Sequence, residues 1–532
     1  MNAIVSNDAS CMYCYKCLRN CPVKSISFNH GKAKIIDEDC IQCGICIEVC
    51  PQKARTYVKS IDEFKKFIGK KFMVSLAPSF FAHFDQPYKI ISLLKKLGAT
   101  VVQETAVGAE LVSREYARYF LRNEETVIST ACPVIVYLAE RYFPEVLGHL
   151  LPVVSPMVAH ATFLKQKFGD LPVVFLGPCV AKKSESQLVD IVITFEEFDE
   201  FIKNENFQLD QLIDELPTPP YPDKARMYPT SGGINYTIDG DWKTHISIEG
   251  IENVMNIFSK IDEIKTGFFI EASACIGSCI NGPAIRKDIN ILEKRRRIMN
   301  HSANLNTEKN LIEFEAPSID LHKKFSSKFS KVYVDEKAVQ QVLKSLGKDD
   351  MKKQLNCGAC GYESCKDKAV AVVLGKAEKE MCITYLVDKL KAATNRVVEE
   401  SPNAIFIYKG NCLIYKNKAA EKLFLDTTNL ISLLNEIKIF SNRIYEIPDK
   451  GFFFVKSFTL PEDSGEVLLL VDMTKEKLQE ERLKEIKHET LNKIEEMLAR
   501  QMRIAQEIAG LLGESIAETK SHFVELRKFM EE

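Results

Sequence analysis

Sixteen of the seventeen cysteines in this chain fall into three spaced groups, and only Cys412 stands apart. The first group is Cys11-x2-Cys14-x2-Cys17-x3-Cys21-Pro22, repeated as Cys40-x2-Cys43-x2-Cys46-x3-Cys50-Pro51. The second is spread through the middle at Cys132, Cys179, Cys275 and Cys279, and the third is Cys357-x2-Cys360-x4-Cys365, closed by Cys382. Thiolates in such sets are soft, anionic ligands suited to iron–sulfur clusters. Whatever fold the chain adopts must bring these sets together.

In the doubled motif the first three thiolates of each run grip one cube and the fourth reaches the other cluster. That rule assigns Cys11, Cys14, Cys17 and Cys50 to one [4Fe–4S] cluster, and Cys40, Cys43, Cys46 and Cys21 to a second. Zinc is the competing metal, but structural zinc sites rarely come as eight cysteines in this spacing. Residues 1–57 therefore read as a ferredoxin-type two-cluster head, too short to rely on an apolar core of its own.

At 532 residues the chain has room for several domains, and 46% apolar residues suffice for folded cores. The net charge of −2, with acids and bases interspersed, points to neither nucleic acid nor an anionic membrane. The opening MNAIVSNDAS lacks the basic and apolar regions of a secretory signal, and apolar runs such as LPVVFLG are too short to span a bilayer. The expected location is the cytoplasm, where grouped cysteines serve metals rather than disulfides.

From about 72 to 330, strand-like runs (FMVSLAP, ATVVQET, TVISTACP, LPVVFLG, IVITF) alternate with helical stretches, which predicts α/β layers. The polar, basic run 287–310 reads as a solvated face or loop. Residues 331–390 hold a helix and the third cysteine group. Residues 395–474 begin with a strand pair joined at Lys409–Gly410–Asn411, continue into a helix and end on the strand EVLLLVDMT. From 475 to 532 the chain is almost free of Gly and Pro, and Leu491, Ile494, Leu498, Ile504, Ile508 and Leu511 recur at helical spacing. That helix either packs on its own protein or serves as a dimerising, partner-binding signalling helix.

The central cysteines sit in Thr130-Ala131-Cys132-Pro133, in Pro178-Cys179-Val180-Ala181-Lys182-Lys183-Ser184-Glu185, and in Glu271-Ala-Ser-Ala-Cys275-Ile-Gly-Ser-Cys279-Ile-Asn-Gly282. Taken alone, four thiolates from three loops suggest one closed tetrahedral site for iron or zinc. Lys182 adds a cation beside it, unless it is merely a surface member of a Lys-Lys pair.

In these segments the chain resembles the iron-only ([FeFe]) hydrogenases, whose catalytic domain carries signatures close to TSCCP, PCxxKxxE and ExMxCxxGCxxGG in this order. Further matches are Glu140-Arg-Tyr-Phe-Pro144-Glu145, Ser155-Pro156 and Ser231-Gly232-Gly233. The resemblance implies that Cys132, Cys179, Cys275 and Cys279 bind a [4Fe–4S] cube, with Cys279 bridging to a diiron subcluster bearing CO and cyanide. Lys182 would donate to a cyanide, and Ser155 belongs to the same site. Protons or H2 would be the substrate, and a carrier such as ferredoxin would exchange electrons.

The chain departs from the family pattern at several positions. Ala131 stands where fast hydrogenases carry a proton-accepting thiol, and Leu151 aligns with a serine of the same relay. Ser273 and Gly177 replace methionines near the diiron site, and Ser278 and Pro283 replace motif glycines. Neither alanine nor leucine has a side-chain proton to exchange, so any alternative route would run through Glu115 or water.

Cys357, Cys360, Cys365 and Cys382 look like a small four-cysteine [4Fe–4S] domain, with zinc as the alternative. Residues 395–474 resemble a PAS sensor domain through SPNAIFIYKGN, NKAAEKLF and VDMTKEKL. Cys412, inside that span, reads as a buried core residue, with a reactive thiol as the minority reading. The whole is a multidomain α/β chain: two-cluster head (1–57), iron-only hydrogenase-like domain (72–330), four-cysteine domain (331–390), PAS-like domain (395–474) and C-terminal signalling helix (475–532). The expected role is a low-turnover H2 or redox sensor with a downstream protein partner and a possible homodimer. The alternatives are an ordinary ferredoxin-dependent hydrogenase and an electron-transfer or cluster-assembly relative without the diiron site.

Overall fold

The computed structural model describes residues 3–29, 31–122, 125–185, 188–238, 244–264, 267–306, 319–330, 333–410, 412–424, 430–461, 465–509 and 526–528. It divides into two compact units, Met1–Tyr385 and Leu386–Glu532.

In the first unit, four parallel strands lie in the order Ala99–Glu104, Phe72–Leu76, Val173–Gly177, Ile191–Thr194. The two inner strands and the edge strand Ile191–Thr194 are largely apolar and buried at every position, as expected of a parallel sheet covered on both faces. A second parallel sheet joins His245–Glu249, Phe269–Ser273 and the two-residue strand Val127–Ile128. Helices Pro87–Lys96, Ala106–Phe120, Pro133–Tyr142, Pro156–Phe168 and Phe195–Asn204 cover these sheets. The last starts on a capping box at Thr194 and Glu197.

The strands FMVSLAP, ATVVQET, LPVVFLG and IVITF form as expected; TVISTACP contributes only Val127 and Ile128 to a sheet before turning. The basic run 287–310 departs from its reading. It contains the helix Ile291–Asn306, whose inner face buries Lys294, Ile298 and His301. His301 stacks on Phe81 and approaches Glu104, which Arg226 also engages in a fully buried ion pair. Burial alone would raise the Glu104 carboxyl, but His301 and Arg226 outweigh it and hold it at about 2.

The head is built on an internal repeat. Its two cysteine runs place left-handed backbone at matching points: Tyr13 and Gln42, Tyr15 and Gly44, Lys24 and Lys53. Each run carries a short helix, Lys16–Arg19 and Ile45–Glu48. The amides of Ser25 and Ala54 donate to Cys21 and Cys50 at 3.4 and 3.3 Å, the same contact in both halves.

The second unit is a five-stranded antiparallel sheet in the order Cys412–Lys416, Ala404–Lys409, Glu466–Asp472, Gly451–Thr459, Arg443–Ile447. The predicted strand pair about Gly410 is its first hairpin, and Asn411 lies outside the described residues. Helices Lys418–Leu423 and Leu430–Lys438 close a core that includes Phe406, Leu434, Val455, Leu468 and Leu470. Cys412 is exposed at the end of its strand, not buried in that core, because the side chains of Cys412–Lys416 turn little surface inward. A long helix, Thr474–Ala509, follows, in which Leu491, Ile494 and Leu498 are half-buried and Ile504 is exposed. The burial of Ile508, and Leu511 altogether, fall outside what is described.

Candidate cluster sites and the central cavity

Both parallel sheets of the first unit release their chains toward one cavity, as open α/β folds do at the carboxyl ends of their strands. Phe72–Leu76 runs into Ala77, Pro78 and Ser79; Ala99–Glu104 into Thr105; Val127–Ile128 into Ala131 and Cys132; Val173–Gly177 into Pro178 and Cys179. Glu271, Ala272 and Ser273 close another wall, followed by Ser278 and Cys279. The cavity encloses about 100 Å³.

Three of the four central cysteines, Cys132, Cys179 and Cys279, line it directly. Cys275 sits close enough to feel the charge of all three. Burial and then Cys132 push the Cys179 thiol up to about 11. Cys279 is exposed where it lines the cavity, yet the protein around it, followed by Cys132 and Cys179, pushes its thiol up to about 12. The bare thiols of Cys179, Cys275 and Cys279, raised by burial, stay protonated at neutral pH and would become thiolates around a cationic metal centre.

Lys182 lines the cavity with its side chain largely covered. Its Nζ donates to the carbonyl of Ala131 at 3.3 Å and pairs with buried Glu185 at 2.7 Å. An ammonium has three protons, so one remains for a group in the cavity. The neighbouring Lys183 is not a surface residue either: it is held by Glu197, Ser60 and the Val192 carbonyl. The Lys-Lys pair thus points two largely covered cations at different partners.

The departures acquire definite settings. Ala131 lines the cavity, whereas Leu151 lies in the apolar core behind it. Ser278 adopts φ +59°, so the turn keeps left-handed backbone although the side chain is no longer absent, at a cost of about 1 kcal/mol. Pro283 packs against Gly44 of the head, where a Cβ would meet Pro283 Cβ at 2.7 Å. Ser273 is on the cavity wall; a Cβ at Gly177 would collide with the ring of Phe175, which lines the cavity in its stead.

Two expected participants are not among the lining residues. Glu115 pairs with Arg118 at the surface of its helix, because its position on Ala106–Phe120 faces away from the sheets. Ser155 stands at the N-cap position of the helix Pro156–Phe168, buried, with an Oγ that makes no cap bond and finds no other hydrogen-bond partner. Ser79 Oγ, on the wall itself, is likewise buried and unpartnered. Glu271 was legible only as the start of a motif. Its carboxylate accepts from the amides of Gly232, Ile234 and Asn235, while burial raises it to about 7.

The other cysteine sets also surround spaces. Cys21, Cys40, Cys43 and Cys46 line one small cavity, the membership expected of the second head cluster. Cys17 feels Cys11, and Cys14 is exposed. Cys357, Cys360, Cys365 and Cys382 line a third cavity. Among the described residues no three His, Cys, Asp or Glu side chains close tightly enough to hold a single ion.

Each set is accompanied by a buried cation. Arg55 lies against Cys17, and its Nε and Nη2 have no hydrogen-bond partner. Lys368 is buried beside Cys360 and Cys382, with its Nζ on the Glu378 carbonyl. Among the described residues neither has a carboxylate at ion-pair distance. A buried, uncompensated cation costs several kcal/mol, so anionic clusters fit these places.

Comparison with known proteins follows the same division. The family model described as "Iron only hydrogenase large subunit, C-terminal domain" matches residues 70–239, a 4Fe-4S dicluster domain matches 3–51, and an Fe-S cluster model matches 354–384. Iron hydrogenase 1 of Clostridium pasteurianum is 24% identical over 284 residues, covering 40% of this chain and 50% of that protein. The chain thus spans about half the length of this relative. A solved [FeFe]-hydrogenase HydA1 from Chlamydomonas reinhardtii is 14% identical with a TM-score of 0.40, over 51% of this chain and all of that one. Among the described residues no helix is long and apolar enough to cross a membrane. The chain is an iron–sulfur protein that resembles the [FeFe]-hydrogenases at a distance.

Proposed function

We propose that the chain is a hydrogenase-like sensor of H2 or redox state, slow or silent as an enzyme, which exchanges electrons with a ferredoxin-type carrier and signals through its second unit. The observation that carries this reading is the chemistry of the cavity wall. Where a proton relay is expected, Ala131 and Leu151 offer no donor or acceptor, and Glu115 is turned to the surface.

The residues present suit the implied cofactor. Cys132, Cys179, Cys275 and Cys279 would hold a [4Fe–4S] cube, with Cys279 bridging to a diiron subcluster. When bound, that group would supply an open iron that polarises H2 and a base that takes its proton. Lys182, with one free N–H and its position fixed by Glu185, would anchor a ligand of the subcluster. Ser79 and Ser155 carry hydroxyl groups in search of a partner close by.

The second unit supports the signalling half. Its antiparallel sheet runs in the order second, first, fifth, fourth, third strand, with helices on one face and a long helix leaving the last strand. That arrangement suits the PAS-like reading of residues 395–474. The half-exposed apolar positions of Thr474–Ala509 suit a helix that pairs with a second copy or a partner. A cytoplasmic location agrees with sixteen ligating thiols.

Infrared spectroscopy of the anaerobic, matured protein tests the central claim: bands of metal-bound CO and cyanide are expected, and their absence removes every hydrogenase-like reading. If they are present, H2-oxidation turnover near that of energy-metabolism hydrogenases would sink the sensory role in favour of an ordinary ferredoxin-dependent enzyme. Ala131→Cys should raise turnover about tenfold or more by restoring an exchangeable proton at the wall. An unchanged rate would show that the missing thiol is not the bottleneck.

A further inference from the structure

The third cysteine set is not a free-standing appendage. Gly361, in its first loop, meets Leu18 of the head so closely that a Cβ there would lie 3.0 Å from two Leu18 carbons. Tyr362, Ala371, Ala377 and Met381 share one apolar cluster with Leu18, Cys17, Cys21 and Phe28. Polar contacts frame this seam: Phe28 N donates to the Lys376 carbonyl at 3.0 Å, Asn29 Nδ2 donates to the Gly375 carbonyl, and Lys376 pairs with Asp39 at 2.5 Å. Tyr362 lies within electrostatic reach of both Cys360 and Cys21, and its buried hydroxyl has no partner. On the far side of the head, Cys43 and Cys275 line one cleft, and Glu48 of the head reaches the field of Cys275.

We infer that the three cysteine sets form a single electron path, from the central site through the head to the 357–382 site, with Leu18, Gly361 and Tyr362 as the outer junction. One electron leaves the reduced head and enters the outer cluster, with no proton or bond exchanged. Cys382, a ligand of that outer site, immediately precedes the helix Ile383–Glu399, along which the chain passes into its second unit. Of the three cysteine sets, the outer site is the one nearest in sequence to the second unit. The inference rests on the 357–382 cysteines being a cluster site; it does not need H2 to be the signal, so chemical reduction tests it separately from the sensory reading.

The test uses the full chain, reconstituted anaerobically with iron and sulfide, reduced stepwise with dithionite and followed by electron paramagnetic resonance. In the wild type, reducing the outer cluster should broaden the head signals and speed their spin relaxation. The double variant Cys360→Ser/Cys365→Ser should lose about four irons and relax several-fold more slowly. Asp39→Lys should keep all its iron yet lose much of the interaction, and adding Lys376→Asp should restore it by reversing the pair. Head signals that relax identically in the wild type and the double variant would overturn the path, as would zinc retained at 357–382. If the double variant does not fold, identical relaxation across wild type, Asp39→Lys and the charge-reversed pair overturns it equally.

Discussion

The head and the second unit solve the same problem by opposite means. In the head, cysteines are themselves much of the interior: Cys17, Cys21, Cys40 and Cys46 are buried among a few residues such as Leu18, Ile26 and Phe28. In the second unit no cysteine is buried, and the interior is Phe406, Leu434, Val455, Leu468 and Leu470 beneath a continuous sheet. Ligation there is replaced by apolar burial and a few well-satisfied polar groups. The difference teaches that the two regions should fail under different insults.

Removing iron should produce the largest split. Without clusters, the head loses its central bonds and keeps buried thiols and an uncompensated Arg55, whereas the second unit loses nothing. Because metal binding in such small sites is folding free energy, the loss is several kcal/mol. Protease cleavage within residues 11–50 should accelerate about a hundredfold on chelation, with residues 404–472 resisting as before. Equal loss of both regions would mean that the second unit leans on the first.

The converse blow is Asn417→Ala. Asn417 is fully buried and uses its whole side chain: Oδ1 accepts from the amides of Ile405 and Ala420, both at 3.0 Å, and Nδ2 donates to the carbonyls of Val398 and Asn403. It caps the helix Lys418–Leu423 and ties it to the first strand. Truncation should cost the second unit about 2–4 kcal/mol, seen as a lowered unfolding midpoint with cluster absorbance unchanged.

The two regions also differ in how far they could be read in advance. Ligand spacing is a strict code, so the membership of the set Cys21, Cys40, Cys43 and Cys46 was legible before any geometry, as were the strands of the parallel sheet. Placement that depends on distant partners was not. Lys294 and His301 look like solvated residues in a basic run, and only Phe81, Glu104 and the cavity-side packing draw their helix inward. Ser79 and Thr105 carry no spacing signal, since they meet the cysteines only where separate strands end together. Glu115 was expected only as an alternative proton route; it pairs with Arg118 instead, and which face of its helix meets the sheets is not written in the local sequence.

Cys412 is the smallest and cleanest probe of the contrast. A lone cysteine in a strand invites a core assignment, yet its strand lies at the sheet edge and pairs on one side only, with Ala404–Lys409. The thiol is exposed, so its removal deletes almost no packing. Cys412→Ser should change the stability of the second unit by less than about 0.5 kcal/mol, the usual range for a surface substitution. The same variant should abolish rapid labelling of the cluster-loaded protein by a thiol reagent, because every other cysteine is expected to be tied to iron. A loss above about 1 kcal/mol would return Cys412 to the core. Rapid labelling that persists in the variant would instead mark one of the sixteen grouped thiols as free, and the exposed Cys14 and Cys357 are the first to identify by mapping the labelled peptide.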